Sequence, residues 1–285
     1  MFKKLLKYDM KSIANVWWIL AVSVLGASVL ASFLLRFCME NDGNGAFAIF
    51  MVLAMLMLFV CLLGIIMSVV VTEILVYLRF YKNFYTDEGY LTFTLPVSRK
   101  MLLLSKTLNA LIWTGAHLLL YVVCALIFML IVPPAEAGGG FFNPVAFEWL
   151  GQTLSEAWNT IGAWLIVYMV EVLLLFTLAL TFSINLIHYC ITMGAVIAKK
   201  MKLLAAIGIY YLVNMILSFV MQFAALFGTL ALEVGFSGML ANASQNLQSA
   251  AVAVVLLLVC AIVAAISCTL YFMTLGKLER KLNLA

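Results

Sequence analysis

Charged side chains are scarce: Asp, Glu, Lys and Arg make up 10% of the 285 residues, against about 25% in a typical soluble domain. With 67% of the residues hydrophobic, a soluble fold of this length could not bury its apolar surface, so lipid must be the solvent for much of the chain. A net charge of +4, dispersed along the sequence, argues against a nucleic-acid partner. Catalytic motifs are missing too. The two histidines, His117 and His188, lie in separate apolar runs and neither belongs to an HExxH pattern. No GxSxG elbow occurs, and Gly276-Lys277 cannot close a phosphate loop because Tyr271 stands where the first glycine is required. Of the six cysteines, Cys61, Cys124, Cys190, Cys260 and Cys268 sit inside apolar runs and Cys38 near a loop. Without a CxxC spacing they imply neither a disulfide framework nor a metal site, and read as small packing residues. No catalytic residue and no metal ligand is therefore expected.

What the sequence does have is long apolar runs. Six spans are expected, over about 13–36, 46–78, 108–132, 162–198, 203–232 and 250–275. The first is too long for a signal peptide, whose apolar core is about 7–15 residues. Ahead of it, Phe2, Leu5, Leu6 and Met10 alternate with Lys3, Lys7 and Lys11, the pattern of a short amphipathic helix (1–11) lying on an anionic membrane surface. The second run would extend about 50 Å as a helix, well beyond a hydrocarbon core of about 30 Å, so it must tilt or project. Pro133-Pro134 closes the third. The loop after it carries Gly138-Gly139-Gly140 and a short helix over 144–159. With no internal repeat and no compositional boundary, 1–285 reads as one transmembrane domain.

Charge placement orients these spans. Of the 16 Lys and Arg, only Arg36 falls in the odd-numbered connections; the rest lie before the first span, in 79–107, around Lys199-Lys200-Lys202, or in the tail. Cytoplasmic loops carry the Lys/Arg excess, which predicts a multi-pass protein of the plasma membrane with both termini in the cytoplasm. Glu73 and Glu171 lie within apolar runs. Glu73 could snorkel or bond a neighbouring helix. Glu171 would face a translocation path, an interhelical partner or the outer interface, since a charge at mid-bilayer costs about 2.5–3.5 kcal/mol. Asn185 and His188, one turn apart, suit bonds between helices.

The connection 79–107 is the most informative. Phe80, Tyr81, Phe84, Tyr85, Tyr90 and Phe93 are too many aromatics for a solvated linker, and suit either the headgroup region or a protein interface. Gly89 permits a turn after Asp87-Glu88, and Pro96 ends whatever helix precedes it. The string Asp87-Glu88-Gly89-Tyr90-Leu91-Thr92-Phe93-Thr94-Leu95-Pro96-Val97-Ser98-Arg99, with Leu103-Leu104-Ser105-Lys106 after it, resembles the cytoplasmic loop of ABC transporter permeases of the type-2 exporter class. The likeness covers about 20 residues; elsewhere it rests on the layout of spans. The resemblance implies an all-α, six-span permease subunit of an ATP-driven exporter whose 79–107 loop serves as a coupling helix. Asp87, Glu88, Gly89, Leu95, Pro96 and Arg99 would then contact a separate cytoplasmic ATPase subunit. ATP and Mg would bind that partner and no cofactor this chain, and a second permease copy or a homologue would complete the path. An ion- or proton-coupled secondary transporter is the alternative, resting on Glu171 and His188. A membrane-embedded enzyme is disfavoured by the lack of clustered His, Asp or Glu.

Overall fold

A computed structural model describes residues 2–40, 48–132, 145–198, 200–231 and 244–280. Among them the chain forms eight helices and no strand: α1 (Phe2–Glu40), α2 (Ala48–Tyr85), α3 (Glu88–Phe93), α4 (Arg99–Ile131), α5 (Val145–Ile161), α6 (Trp164–Ile197), α7 (Lys202–Ala231) and α8 (Gln245–Arg280). Six of these are long and apolar enough to cross a membrane. The protein is an all-α, polytopic transmembrane domain. Its large apolar side chains confirm which solvent it meets: Ile49, Phe50, Val60, Leu173 and Phe227 are all more than 60% exposed, and only lipid accommodates such helix faces.

Several boundaries differ from the sequence expectation. The amphipathic stretch 1–11 is not a separate helix; α1 is continuous for 39 residues from Phe2. No Gly or Pro lies between the charged and apolar parts, so nothing stops the backbone hydrogen-bond ladder. For the same reason α2 runs on through Arg79 to Tyr85, and α4 begins at Arg99 rather than near 108. At 1.5 Å per residue α2 is about 57 Å long. The 79–107 connection is thus largely helical. The short helix expected over 144–159 is α5, and Gly162 makes the turn into α6 at φ 57, a left-handed conformation that glycine adopts without steric cost. The Gly138-Gly139-Gly140 loop lies outside the described residues.

The helices fall into two compact units, Met1–Arg79 with Leu108–Glu156, and Phe80–Thr107 with Ala157–Ala285. In the first, Ala21 and Val24 of α1 bury against Leu120 and Cys124 of α4, with Trp17, Leu25 and Ile65 packed around them. Trp17 and Trp113 meet at 5.3 Å between ring centroids. Ser28, Ala31 and Ser32 continue the α1 stripe and are completely buried; small side chains let helix backbones approach in lipid, where packing replaces the hydrophobic effect. In the second unit α6 packs along α7 and α8. The two backbones α6 and α7 come close at Gly194, where an added Cβ would lie 2.5 Å from the Ala206 amide nitrogen.

Candidate functional site

The residues singled out between α2 and α4 belong to the second unit, where aromatic packing fixes them. Phe80, Phe84 and Tyr85, at the C-terminal end of α2, are fully or nearly buried. The Phe80 ring stacks on His188 of α6 at 3.9 Å and 18°. Tyr85 Oη and Thr192 Oγ1 lie 2.6 Å apart. Because Thr192 gives its one proton to the His188 carbonyl, Tyr85 is the donor in that pair. Two α2 side chains, Phe80 and Tyr85, thus bind the end of this helix to α6.

After Tyr85 the chain turns through Thr86 and Asp87 into α3. The Gly89 amide donates to the Thr86 carbonyl at 2.8 Å, and Gly89 is buried in the first turn of α3. The turn is therefore made just before Gly89, and the glycine's lack of a side chain serves close packing there. Phe93 packs on Phe84 at 5.6 Å, so the underside of α3 rests on α2. Its outer side is open: Asp87 and Glu88 are exposed, Tyr90 is 53% exposed and Leu91 74%. Leu95 and Pro96 are exposed as well. The Val97 amide reaches back to the Leu95 carbonyl at 2.7 Å, a tight turn centred on Pro96 that its ring-locked φ favours. Ser98 Oγ then accepts from the Met101 amide at 3.4 Å, capping α4 as serine does at helix starts.

Arg99 and Lys106 are turned into the protein. The Arg99 guanidinium donates to the Leu278 carbonyl of α8 and lies 5.2 Å over the Phe93 ring. Next to it, Tyr271 Oη donates to the Lys100 carbonyl at 3.3 Å. Lys106 is 5% exposed. Asn83 stands between Glu88 and Lys106, with its amide nitrogen 3.0 Å from Glu88 Oε2 and its oxygen 2.5 Å from Lys106 Nζ in the orientation that makes both hydrogen bonds. Leu102 and Leu103 are buried beneath. The segment is an exposed ledge, with acidic and apolar side chains outward and basic ones holding it from within.

The polar residues of the spans take separate places. In the second unit Asn185 Nδ2 donates to Ser267 Oγ at 3.0 Å, joining α6 to α8. Glu171, on the same helix, is 5% exposed, and its Oε2 has no hydrogen-bond partner among the described residues. In the first unit Glu73 Oε1 accepts from Thr114 Oγ1 at 2.9 Å, between α2 and α4. The structure thus gathers Asp87, Glu88, Gly89, Leu95, Pro96 and Arg99 on one segment, sets Glu171, Asn185 and His188 on α6, and sets Glu73 in the first unit. It also brings partners to His117, to which the sequence analysis gave no role. Its Nε2 lies 3.0 Å from Ser68 Oγ and its Nδ1 3.2 Å from Thr72 Oγ1. Ser68 and Thr72, one helical turn apart in an apolar run, were the available signal. Among the described residues no three His, Cys, Asp or Glu converge as metal ligands. No family model, no curated protein and no solved structure matches the chain.

Proposed function

We propose that this chain is the membrane-spanning permease subunit of an ATP-driven, ABC-type exporter, seated in the plasma membrane with both termini in the cytoplasm. The observation that carries this reading is the ledge 86–98: its outer face offers Asp87, Glu88, Tyr90, Leu91, Leu95 and Pro96 to a partner, while Phe84, Phe93, Arg99 and Asn83 brace it from behind. Exposed aromatic and aliphatic residues beside exposed carboxylates suit a protein interface. A rigid base suits a lever: force on a floppy loop would dissipate, whereas this one rests on the ends of α2 and α4, which are themselves bonded to α6 and α8. The Lys/Arg asymmetry supports a cytoplasmic position for the ledge. ATP and Mg belong on the partner, an ABC ATPase subunit, and a second permease copy or a homologue completes the transport unit. Nucleotide-driven movement of the ATPase pair, transmitted through the ledge, would rebalance inward- and outward-facing packings by its differential binding to them.

The test is co-purification of the tagged chain from its native membrane, followed by ATPase assay and a search for a chain with a phosphate-binding loop. Such a partner should be retained by the wild type and lost from Leu91→Asp and from Asp87→Lys/Glu88→Lys. Retention by both variants, or no ATPase in the wild-type complex, overturns the reading. A second reading, an ion- or proton-coupled secondary transporter, is favoured by one observation, the buried and unsatisfied Oε2 of Glu171. It predicts that Glu171→Gln abolishes transport while the ledge variants transport normally.

A further inference from the structure

His117 sits in a cradle of three hydroxyl groups whose protons can be counted. Ser68, Thr72 and His117 are all under 5% exposed. Each hydroxyl carries one proton. Thr72 Oγ1 has two possible acceptors, the Ser68 carbonyl at 2.9 Å and His117 Nδ1 at 3.2 Å. Ser68 Oγ likewise has the Ile65 carbonyl at 2.6 Å and His117 Nε2 at 3.0 Å. The two positions differ in one respect. Tyr121 Oη of α4 also donates to the Ile65 carbonyl, at 2.6 Å, and that carbonyl already serves the α2 backbone ladder. A carbonyl oxygen has two lone pairs, so the helix and Tyr121 fill Ile65, and the Ser68 proton is surplus there.

We propose that His117 is a proton-binding site, neutral as the Nδ1–H tautomer and taking its proton at Nε2. In the neutral state Nδ1–H donates to Thr72 Oγ1, Thr72 donates to the Ser68 carbonyl, and Ser68 donates to Nε2. When a proton from water binds the Nε2 lone pair, the ring gains one positive charge and both nitrogens donate. Ser68 must then rotate its hydroxyl proton away, and its remaining acceptor is the Ile65 carbonyl. There it competes with Tyr121. Proton uptake therefore needs no side-chain displacement at the ring, but weakens the Tyr121–Ile65 bond that joins α4 to α2. The group is a switch within the α2–α4 pair.

The charged and titratable groups on the helices packed around the ring can be named. From α2 the nearest acid is Glu73, adjacent to Thr72 and bonded to Thr114, three residues before His117. From α4 the other titratable neighbours are Tyr121, edge-on to the imidazole at 5.1 Å, and Cys124. From α1, Trp17, Ala21 and Val24 pack against the α4 residues on either side, Trp113, Leu120 and Cys124. Between Ile13 and Leu35 that helix has no ionisable side chain. Glu148 and Glu156 of α5 are exposed. On these faces the one acid is Glu73, and the cation on α2 is Arg79, two turns beyond Thr72 with its Nε buried.

Histidine-specific ¹⁵N labelling of the full chain in lipid bilayers tests the site, because only two histidines occur. His117→Gln assigns the signals by loss, and His188→Gln does so independently should the first variant fold poorly. The expected result is an Nδ1–H neutral ring at alkaline pH that becomes imidazolium on acidification. Ser68→Ala should lower the proton affinity of His117 about tenfold, the cost of leaving a charged buried donor unpaired. Tyr121→Phe should raise it a few-fold, because Ile65 becomes free to receive the Ser68 proton. A merely structural histidine would not respond to the two variants with opposite sign. An Nε2–H neutral tautomer, no imidazolium between about pH 4 and pH 9, or shifts of the same sign would overturn the proposal. None of these outcomes depends on an ATPase partner.

Discussion

Arg99, at the first residue of α4, donates a guanidinium hydrogen bond to the carbonyl of Leu278, in the last turns of α8. A hydrogen bond from a charged donor is stronger than one between neutral groups. The same guanidinium covers Phe93, so one side chain holds α8, starts α4 and steadies α3. Arg99→Ala should lower stability by about 1–2 kcal/mol, and Arg99→Lys should recover only part of it, because an ammonium cannot both stack on the ring and fork to the carbonyl. Thermal unfolding in detergent measures the loss. Amide exchange across 271–280 should accelerate in the alanine variant and stay unchanged across 245–260.

Gly194 gives a sharper steric test. A methyl group there would sit 2.5 Å from the Ala206 nitrogen, 2.7 Å from its Cα and 2.7 Å from the Lys202 carbonyl, all backbone atoms that no rotamer change can clear. Gly194→Ala should destabilise by about 1–3 kcal/mol, the usual cost of forcing extra volume into a packed contact. Gly208→Ala, also helical but with nothing within 4 Å of the added carbon, should be neutral or slightly stabilising through helix propensity. Melting temperatures of the two variants should move apart; equal shifts would contradict the close α6–α7 approach.

The difference between these glycines is invisible in the sequence, and it shows where sequence reasoning stops. The six spans were legible because an apolar run long enough to cross lipid has few other fates. Helix ends were not, since Arg79 to Tyr85 looks like a polar connection until one notes that it contains no breaker. The ledge was legible as a segment from its aromatics, its proline and its resemblance. Which side chains face outward depends on α6 and α8, nearly a hundred or more residues away: Arg99 resembles an interface residue in the sequence but is taken up by Leu278. His117 was given no role because its partners, Ser68 and Thr72, lie 49 and 45 residues earlier, and interhelical pairing leaves no local periodicity.

Tyr85 and Thr192 allow the binding of α2 to α6 to be measured. Tyr85 is the donor and both groups are buried. Tyr85→Phe keeps the ring against Phe80 and Phe84 and removes one bond, so it should cost about 1 kcal/mol. Thr192→Val strands the tyrosine hydroxyl and should cost more, about 1–3 kcal/mol. The double variant should cost less than the two together, because no polar group is then left unpaired. Additive losses would mean that the two hydroxyls do not interact.

Leu91 separates stability from partner binding. At 74% exposure it contributes almost nothing to packing within the chain, so Leu91→Asp should leave the melting temperature close to wild type, within the ±0.5 kcal/mol usual for surface positions. A buried residue of the same segment behaves otherwise: Phe84, with 0% exposure and rings of Phe80, Tyr85 and Phe93 around it, should cost about 3–5 kcal/mol on replacement by alanine. If the ledge seats an ATPase, Leu91→Asp must lose that partner while remaining folded, because an apolar contact at the centre of an interface is replaced by a charge that must be desolvated. Partner capture from the native membrane, compared with melting of the same preparations, makes the distinction. Retention of the ATPase by a well-folded Leu91→Asp protein would mean that the outer face of α3 belongs to lipid headgroups instead, where a single added acid is readily hydrated.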